Sequence, residues 1–134
     1  MPSRSKVTLP AAYPPSLAVY AVCKATQAVA LRVLIDTGAT YTMIPRKVAR
    51  ATGLDLAKAY RRVPIITASA VEYVPVLRVP MWRCVGVEVR DLDVICHDLP
   101  PESAVDGLLG INFLQHCAPF QRFQREIRSF LIHP

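Results

Sequence analysis

Glycine is scarce in this chain: five residues in 134, against twelve prolines. Most turns must therefore form without the residue that accepts left-handed backbone freely. Long helices are disfavoured by a residue that fixes φ and removes a backbone donor. That combination suits short strands joined by stiff turns. No run of about 18 uncharged apolar residues occurs, so no transmembrane helix is expected. Arg4 and Lys6 precede a mildly apolar stretch, but Pro10, Pro14 and Pro15 interrupt it, which argues against a signal peptide. Aromatic residues make up only 7%, with Trp82 the single tryptophan. The five tyrosines do not interleave with the basic residues along the chain, so no stacking platform for nucleic acid is read and a nucleic-acid partner is not expected. Cys23, Cys84, Cys96 and Cys117 form no CxxC pair and no secreted-framework spacing. We read them as reduced, buried side chains of a cytoplasmic protein, although four cysteines leave disulfides open.

What is present is globular in kind: 52% hydrophobic and 19% charged residues, in a length that suits one domain with a real core. Residues 1–16, rich in Pro and Ser, read as an extended N-terminal arm, and residues 17–134 as a single domain. The net charge of +6 is uneven. Residues 1–90 hold 13 Lys/Arg and 4 Asp/Glu, whereas residues 91–121 hold 5 acids and no Lys/Arg. A basic surface of this kind attracts polyanions, but its simpler reading is a solvated face.

The pattern along the chain is that of short strands. Residues 17–24 and 29–35 are apolar or β-branched runs around the polar step 25–28, which predicts a hairpin. Residues 46–52 read as a short helix with Gly53 as its C-cap. Residues 63–67 and 71–80 form a second candidate hairpin around Ala68-Ser69-Ala70. Residues 82–90 and 92–96 alternate with period two. Val105 to Leu109 is another strand, Ile111–Cys117 a helical turn or two stopped by Pro119, and residues 120–132 (with Phe123, Ile127, Phe130 and Ile132) closing strands. The fold class expected is all-β with one or two short helices.

Two strings carry chemistry. In Val33-Leu34-Ile35-Asp36-Thr37-Gly38-Ala39-Thr40, a carboxylate directly follows a strongly apolar strand at a turn containing glycine. A charge at the edge of a dry core has an ionisation that burial and neighbours can tune. The hydroxyls of Thr37 and Thr40 can donate to carboxylates or brace the turn. The second string is Asp106-Gly107-Leu108-Leu109-Gly110-Ile111-Asn112-Phe113-Leu114, about seventy residues later. Asp-Thr-Gly alone is expected by chance in roughly a few per cent of chains this long, so the pairing of the two strings is what carries weight.

At these residues the chain resembles the retropepsin-like aspartic proteases, over roughly residues 17–132. The resemblance implies a closed acid-protease barrel, with Asp36 as the catalytic carboxylate, Thr37 locking two subunits together and Gly38 allowing close backbone approach. Leu108, Leu109 and Gly110 match the family's second motif, which threads past the active-site loop in a ψ-shaped crossing. Residues 65–75 occupy the place of the flap, whose tip here lacks the usual glycine. Ala39, Ile44, Ile66, Thr67, Ala68, Ser69, Val71 and Val74 are the substrate-binding positions it implies. Only one Asp-Thr-Gly is present, whereas the chemistry needs two carboxylates sharing a proton. A two-fold homodimer that cleaves peptide bonds with no metal or organic cofactor is therefore the implied assembly, most active from acid to neutral pH. The implied dimer strands include Phe130, Leu131 and Ile132.

The bland alternatives stay in view. Asp36 could cap a turn, and Asp106 is better read as a turn residue than as a second catalytic group. Asp91, Asp93 and Asp98 read as surface charges, and the adjacent pairs Cys96-His97 and His116-Cys117 point neighbouring side chains apart, against a zinc site. The competing reading at the level of function is a catalytically idle module of the same fold, used for dimerisation or peptide binding.

Overall fold

A computed structural model describes residues 17–122 and 125–126. The apolar alternation builds the first hairpin as expected. In β1 (Ala18–Lys24) and β2 (Ala28–Ile35), Ala21, Cys23, Leu31 and Val33 turn inward while Tyr20 and Lys24 face out. Four short elements follow. They are β3 (Thr42–Ile44), α1 (Arg46–Thr52), a single 3-10 turn (Leu56–Lys58) and β4 (Arg61–Ile66). Helix α1 ends at Gly53, whose φ of 92° supplies the left-handed cap and whose N–H donates to the Arg50 carbonyl.

The remaining elements are β5 (Val71–Cys84), β6 (Val87–Cys96), β7 (Gly107–Leu109) and α2 (Ile111–Leu114). Among the described residues the strands run in the order β1-β2-β7-β3-β6-β5-β4, and a further β1–β5 pairing closes the first six into a barrel. Strand β4 stays outside the ring. It pairs only with residues 71–76 of β5, so this half of the hairpin leaves the wall as an arm. The other half of β5 pairs with β6 and, at residues 81–84, with β1.

The core divides in two. The larger cluster fills the barrel, with Trp82, Phe113, Leu31, Ile44 and Leu109 among its enclosed side chains. The smaller one gathers Met43, Val74, Val76, Ile95 and Leu108, with Leu34, Tyr41, Val63 and Ile65 packed against it at the root of the hairpin arm.

Strand β7 is the unusual piece. It lies between β2 and β3, parallel to the first (Leu34 opposite Leu108) and antiparallel to the second (Met43 opposite Leu108). Main chain passes main chain so closely that side chains are excluded. A Cβ at Gly107 would stand 2.1 Å from the Met43 carbonyl oxygen, and one at Gly110 2.5 Å from the Tyr41 carbonyl.

Two expectations need correction. Pro119 does not stop a helix: residues 118–122 are helical, with the proline in their first turn, where its missing N–H costs nothing. Residues 120–122 are thus helical and not strand, while Phe123, Ile127, Phe130, Leu131 and Ile132 lie outside the described residues. The period-two stretch 82–90 is split between two strands, with Val85 and Gly86 as the hairpin turn. Both have positive φ, 46° and 78°, as a two-residue type I′ turn requires. The alternation continues across such a turn, so period alone did not reveal it.

Val85 is a β-branched residue in left-handed backbone with a side chain 57% exposed. Val85→Asn should therefore stabilise the protein by about 1 kcal/mol, seen as a higher urea midpoint at unchanged slope. Gly110→Ala should cost about 3 kcal/mol or more, because the atoms it meets are backbone and cannot yield.

Candidate active site

The end of β2 delivers Asp36 to a loop that the β7–α2 segment holds by its backbone. The Asp36 N–H donates to the Leu109 carbonyl at 3.0 Å. Beyond the turn, Ile111 N–H donates to Ala39 O at 2.8 Å and Asn112 N–H to Thr40 O at 3.2 Å. The loop also closes on itself, through Ala39 N–H to Asp36 O at 3.1 Å and Gly38 N–H to Asp36 Oδ1 at 2.9 Å. The carboxylate is half-buried, and Thr37 and Gly38 are exposed.

Side-chain bracing comes from residues the sequence reading did not single out. Thr42 is wholly buried, and its hydroxyl donates to Asn112 Oδ1 at 3.0 Å while accepting the Gly110 N–H at 3.1 Å. The same Asn112 oxygen accepts the Thr42 N–H at 2.9 Å, and the Asn112 amide donates to the Asp93 carbonyl. Among the described residues neither Thr37 nor Thr40 makes a side-chain hydrogen bond, so within one chain the bracing expected of them falls to Thr42. A buried Thr two residues past the turn and an Asn two residues past Gly110 were the available signal. Buried polar groups need partners, and these two partner each other.

The positions named from sequence divide by burial. Leu108, Leu109 and Gly110 thread beside the loop. Ile66, Thr67, Ala68, Ser69 and Val71 form the far end of the β4–β5 hairpin, with Ile66 and Val71 exposed at 76% and 57%. The tip closes without glycine or positive φ. Thr67 N–H and Oγ1 both donate to the Ala70 carbonyl at 2.9 Å, and Ala70 N–H donates back to Thr67 Oγ1 at 3.2 Å. Ile44 does not belong to this group. It has no exposed surface and is taken up in the barrel core, so it cannot wall a cleft. Val74, 2% exposed, lies in the smaller cluster at the hairpin root.

That smaller cluster was not read from sequence. Leu34 sits two residues before Asp36 on the same face of the strand, and register places Leu34, Leu108 and Met43 in one row across β2, β7 and β3. The row forms a largely buried apolar floor on the strand face that leads to Asp36, and the root of the hairpin packs against it.

Three other carboxylates have structural partners. Asp106 Oδ2 accepts the Arg32 N–H at 2.9 Å, and Asp106 N–H donates to Arg32 O, so its carboxylate pins β7 against β2. Asp98 binds Arg46, and Asp93 binds Arg78 and the Tyr60 hydroxyl. The four cysteines are buried and free. Burial pushes the Cys23 thiol up to about 12 and those of Cys84 and Cys96 to about 11, and raises Cys117 as well. Thiols so protonated make poor nucleophiles. No group of three or more His, Cys, Asp or Glu side chains among the described residues could hold a metal ion. No described helix is long and apolar enough to cross a membrane.

The comparisons agree with this architecture. A crystal structure of a retropepsin-like aspartic protease from Rickettsia conorii matches with a TM-score of 0.57 at 19% sequence identity, covering 78% of this chain and 75% of that one. Identity at that level speaks to the fold alone, which is a retropepsin-like barrel. No curated protein matches the chain significantly. The family model described as gag-polyprotein putative aspartyl protease matches residues 25–116, a span running from the turn before β2 through the β7–α2 motif. With most of its length matched, and with Asp36 and Gly110 standing in that one interlocked loop, the chain belongs to the gag-polyprotein putative aspartyl protease family.

Proposed function

We propose that the protein is an aspartic endopeptidase that works as a homodimer, each copy contributing Asp36. The observation that carries this reading is the state of that carboxylate. It stands at the head of a backbone-fixed loop, the one side-chain hydrogen bond it makes among the described residues comes from its own turn, and it shares a strand face with the apolar floor of Leu34, Leu108 and Met43. A carboxylate needed only as a turn cap has no use for such a floor beside it or a hairpin arm rooted in that floor.

Two carboxylates about 3 Å apart cannot both ionise, so the pair holds one proton. The ionised one takes a proton from a bound water, and the protonated one donates to the scissile carbonyl. The roles exchange when the leaving amine is protonated. The loop's fixed backbone keeps each carboxylate in place before substrate arrives, so little reorganisation is left for the reaction. Extended peptide with apolar side chains suits the floor and the exposed strand edge of β4, which can pair with it as an added strand. The free buried thiols suit a reducing, cytoplasmic setting.

The test is cleavage of a peptide library by wild type and Asp36→Asn over a range of protein concentrations. The substitution should lower turnover by about a thousandfold or more while leaving the circular dichroism and melting curve in place. Wild-type activity per chain should climb with concentration and then level off as the dimer fills. Equal turnover by both proteins would end the enzyme reading and leave the idle module of the same fold.

A further inference from the structure

The hairpin arm is tied to the barrel by a surface stack at its root. Tyr60, immediately before β4, donates its hydroxyl to Asp93 Oδ2 at 2.6 Å. Arg78 of β5 meets the other oxygen of the same carboxylate, Nε to Oδ1 at 3.2 Å, and its guanidinium lies over the Tyr60 ring, 5.2 Å from the centroid. Arg61, the first residue of β4, lies 5.7 Å from the centroid of that same ring and 5.5 Å from that of Tyr41. It also donates to the Tyr41 hydroxyl. Tyr41 is the residue that follows the Asp36–Thr40 loop, and its carbonyl is the one that leaves no room for a side chain at Gly110.

The stack thus starts beside the loop and ends on a fixed point of the barrel. Asp93 sits in β6, and its carbonyl accepts the Asn112 amide that also braces Thr42. Each contact is exposed and individually weak, but planar guanidinium groups interleaved with rings restrict one another in a way that ammonium groups do not. Apart from the apolar packing of Val63, Ile65, Val74 and Val76 at its root, the arm has little else to hold it: β4 pairs with β5 alone, and β5 is free of β6 from Val71 to Pro75.

We propose that the Tyr41–Arg61–Tyr60–Arg78 stack, anchored on Asp93, is a clamp that sets the position of the hairpin arm relative to the Asp36 loop, which makes Arg61 and Tyr60 positioning residues. The consequence for catalysis rests on the endopeptidase reading, whereas the clamp itself does not. A looser arm covers bound peptide less well and leaves the carboxylates in place, so the loss falls on KM and not on kcat.

Amide hydrogen exchange on the intact protein tests this. In Arg61→Ala, amides of Val63, Ile65, Ile66 and residues 71–74 should exchange about tenfold faster, with those of β1 and β2 unchanged. With a cleaved peptide, KM should rise severalfold and kcat stay within about twofold. Arg61→Lys keeps the charge but not the planar face, and should recover only part of the protection. Tyr60→Phe keeps the ring, loses the bond to Asp93 and should also speed the arm. Arm exchange at the wild-type rate in Arg61→Ala, or equal acceleration in β1 and β2, would overturn the clamp. Full protection in Arg61→Lys would overturn the stacking. A wild type with no peptidase activity would sink the functional reading while the exchange rates still decide this one.

Discussion

Everything at the candidate site depends on one steric fact: strand β7 passes between β2 and β3 with no room for a side chain at Gly107 or, just after it, at Gly110. The two glycines are placed where a Cβ would lie inside van der Waals contact of the Met43 and Tyr41 main chain. Because the contact is backbone on backbone, the Asp36 loop is located by Leu109, Ile111 and Asn112 main-chain hydrogen bonds and not by adaptable side chains. Rotamers can relax after a substitution, but a main-chain ladder moves only as a unit. The loop therefore inherits the rigidity of the barrel, and the carboxylate at its tip inherits it in turn.

The price of such an interlock is a set of buried polar groups where the strands stop pairing regularly. Thr42 and Asn112 answer for these. One hydroxyl and one amide satisfy the Gly110 N–H, the Thr42 N–H and the Asp93 carbonyl. Left unpaired, a buried group of this kind costs roughly 1–3 kcal/mol, comparable to a large share of a small domain's margin. The same pair also links β3, β6 and α2, so the polar network fixes the arrangement of elements that apolar packing alone would leave free to slide.

Much of this was legible in the sequence, and the reasons are particular. Apolar and β-branched runs on either side of a polar step disclosed β1 and β2, and the Gly53 cap disclosed the end of α1, because each is a local signal. Asp36-Thr37-Gly38 and Leu108-Leu109-Gly110 were legible as motifs because the crossing demands glycine and small turns at fixed places. The floor of Leu34, Leu108 and Met43 was not legible. It exists only through register among three strands far apart in the chain, and Leu34 alone reads as ordinary strand. Ile44 shows the converse error, since proximity to the motif suggested a cleft position and period-two geometry turned it into the core. The Tyr60–Arg78 stack escaped notice for the same reason: tyrosine and arginine do not alternate along the chain, but they do across it.

The described chain also leaves unfinished business on one side. Large apolar side chains that face water are few, and Ile66, Val71 and Tyr73 all lie on the hairpin arm. The arm's inner root is well packed through Val74, Val76 and Val63, so its exposed far end is not a failure of folding. Among the described residues of one chain nothing covers those side chains, and no second carboxylate meets Asp36. Under the two-fold reading both deficits have one remedy. A symmetric partner supplies the second acid, and peptide held between the two halves covers the arms. An isolated apolar patch or a half-exposed aspartate is common enough by itself. That both sit beside one apolar cluster, which holds Leu34, Leu108 and Met43 together with the root of the hairpin arm, is what makes a shared site the more economical account.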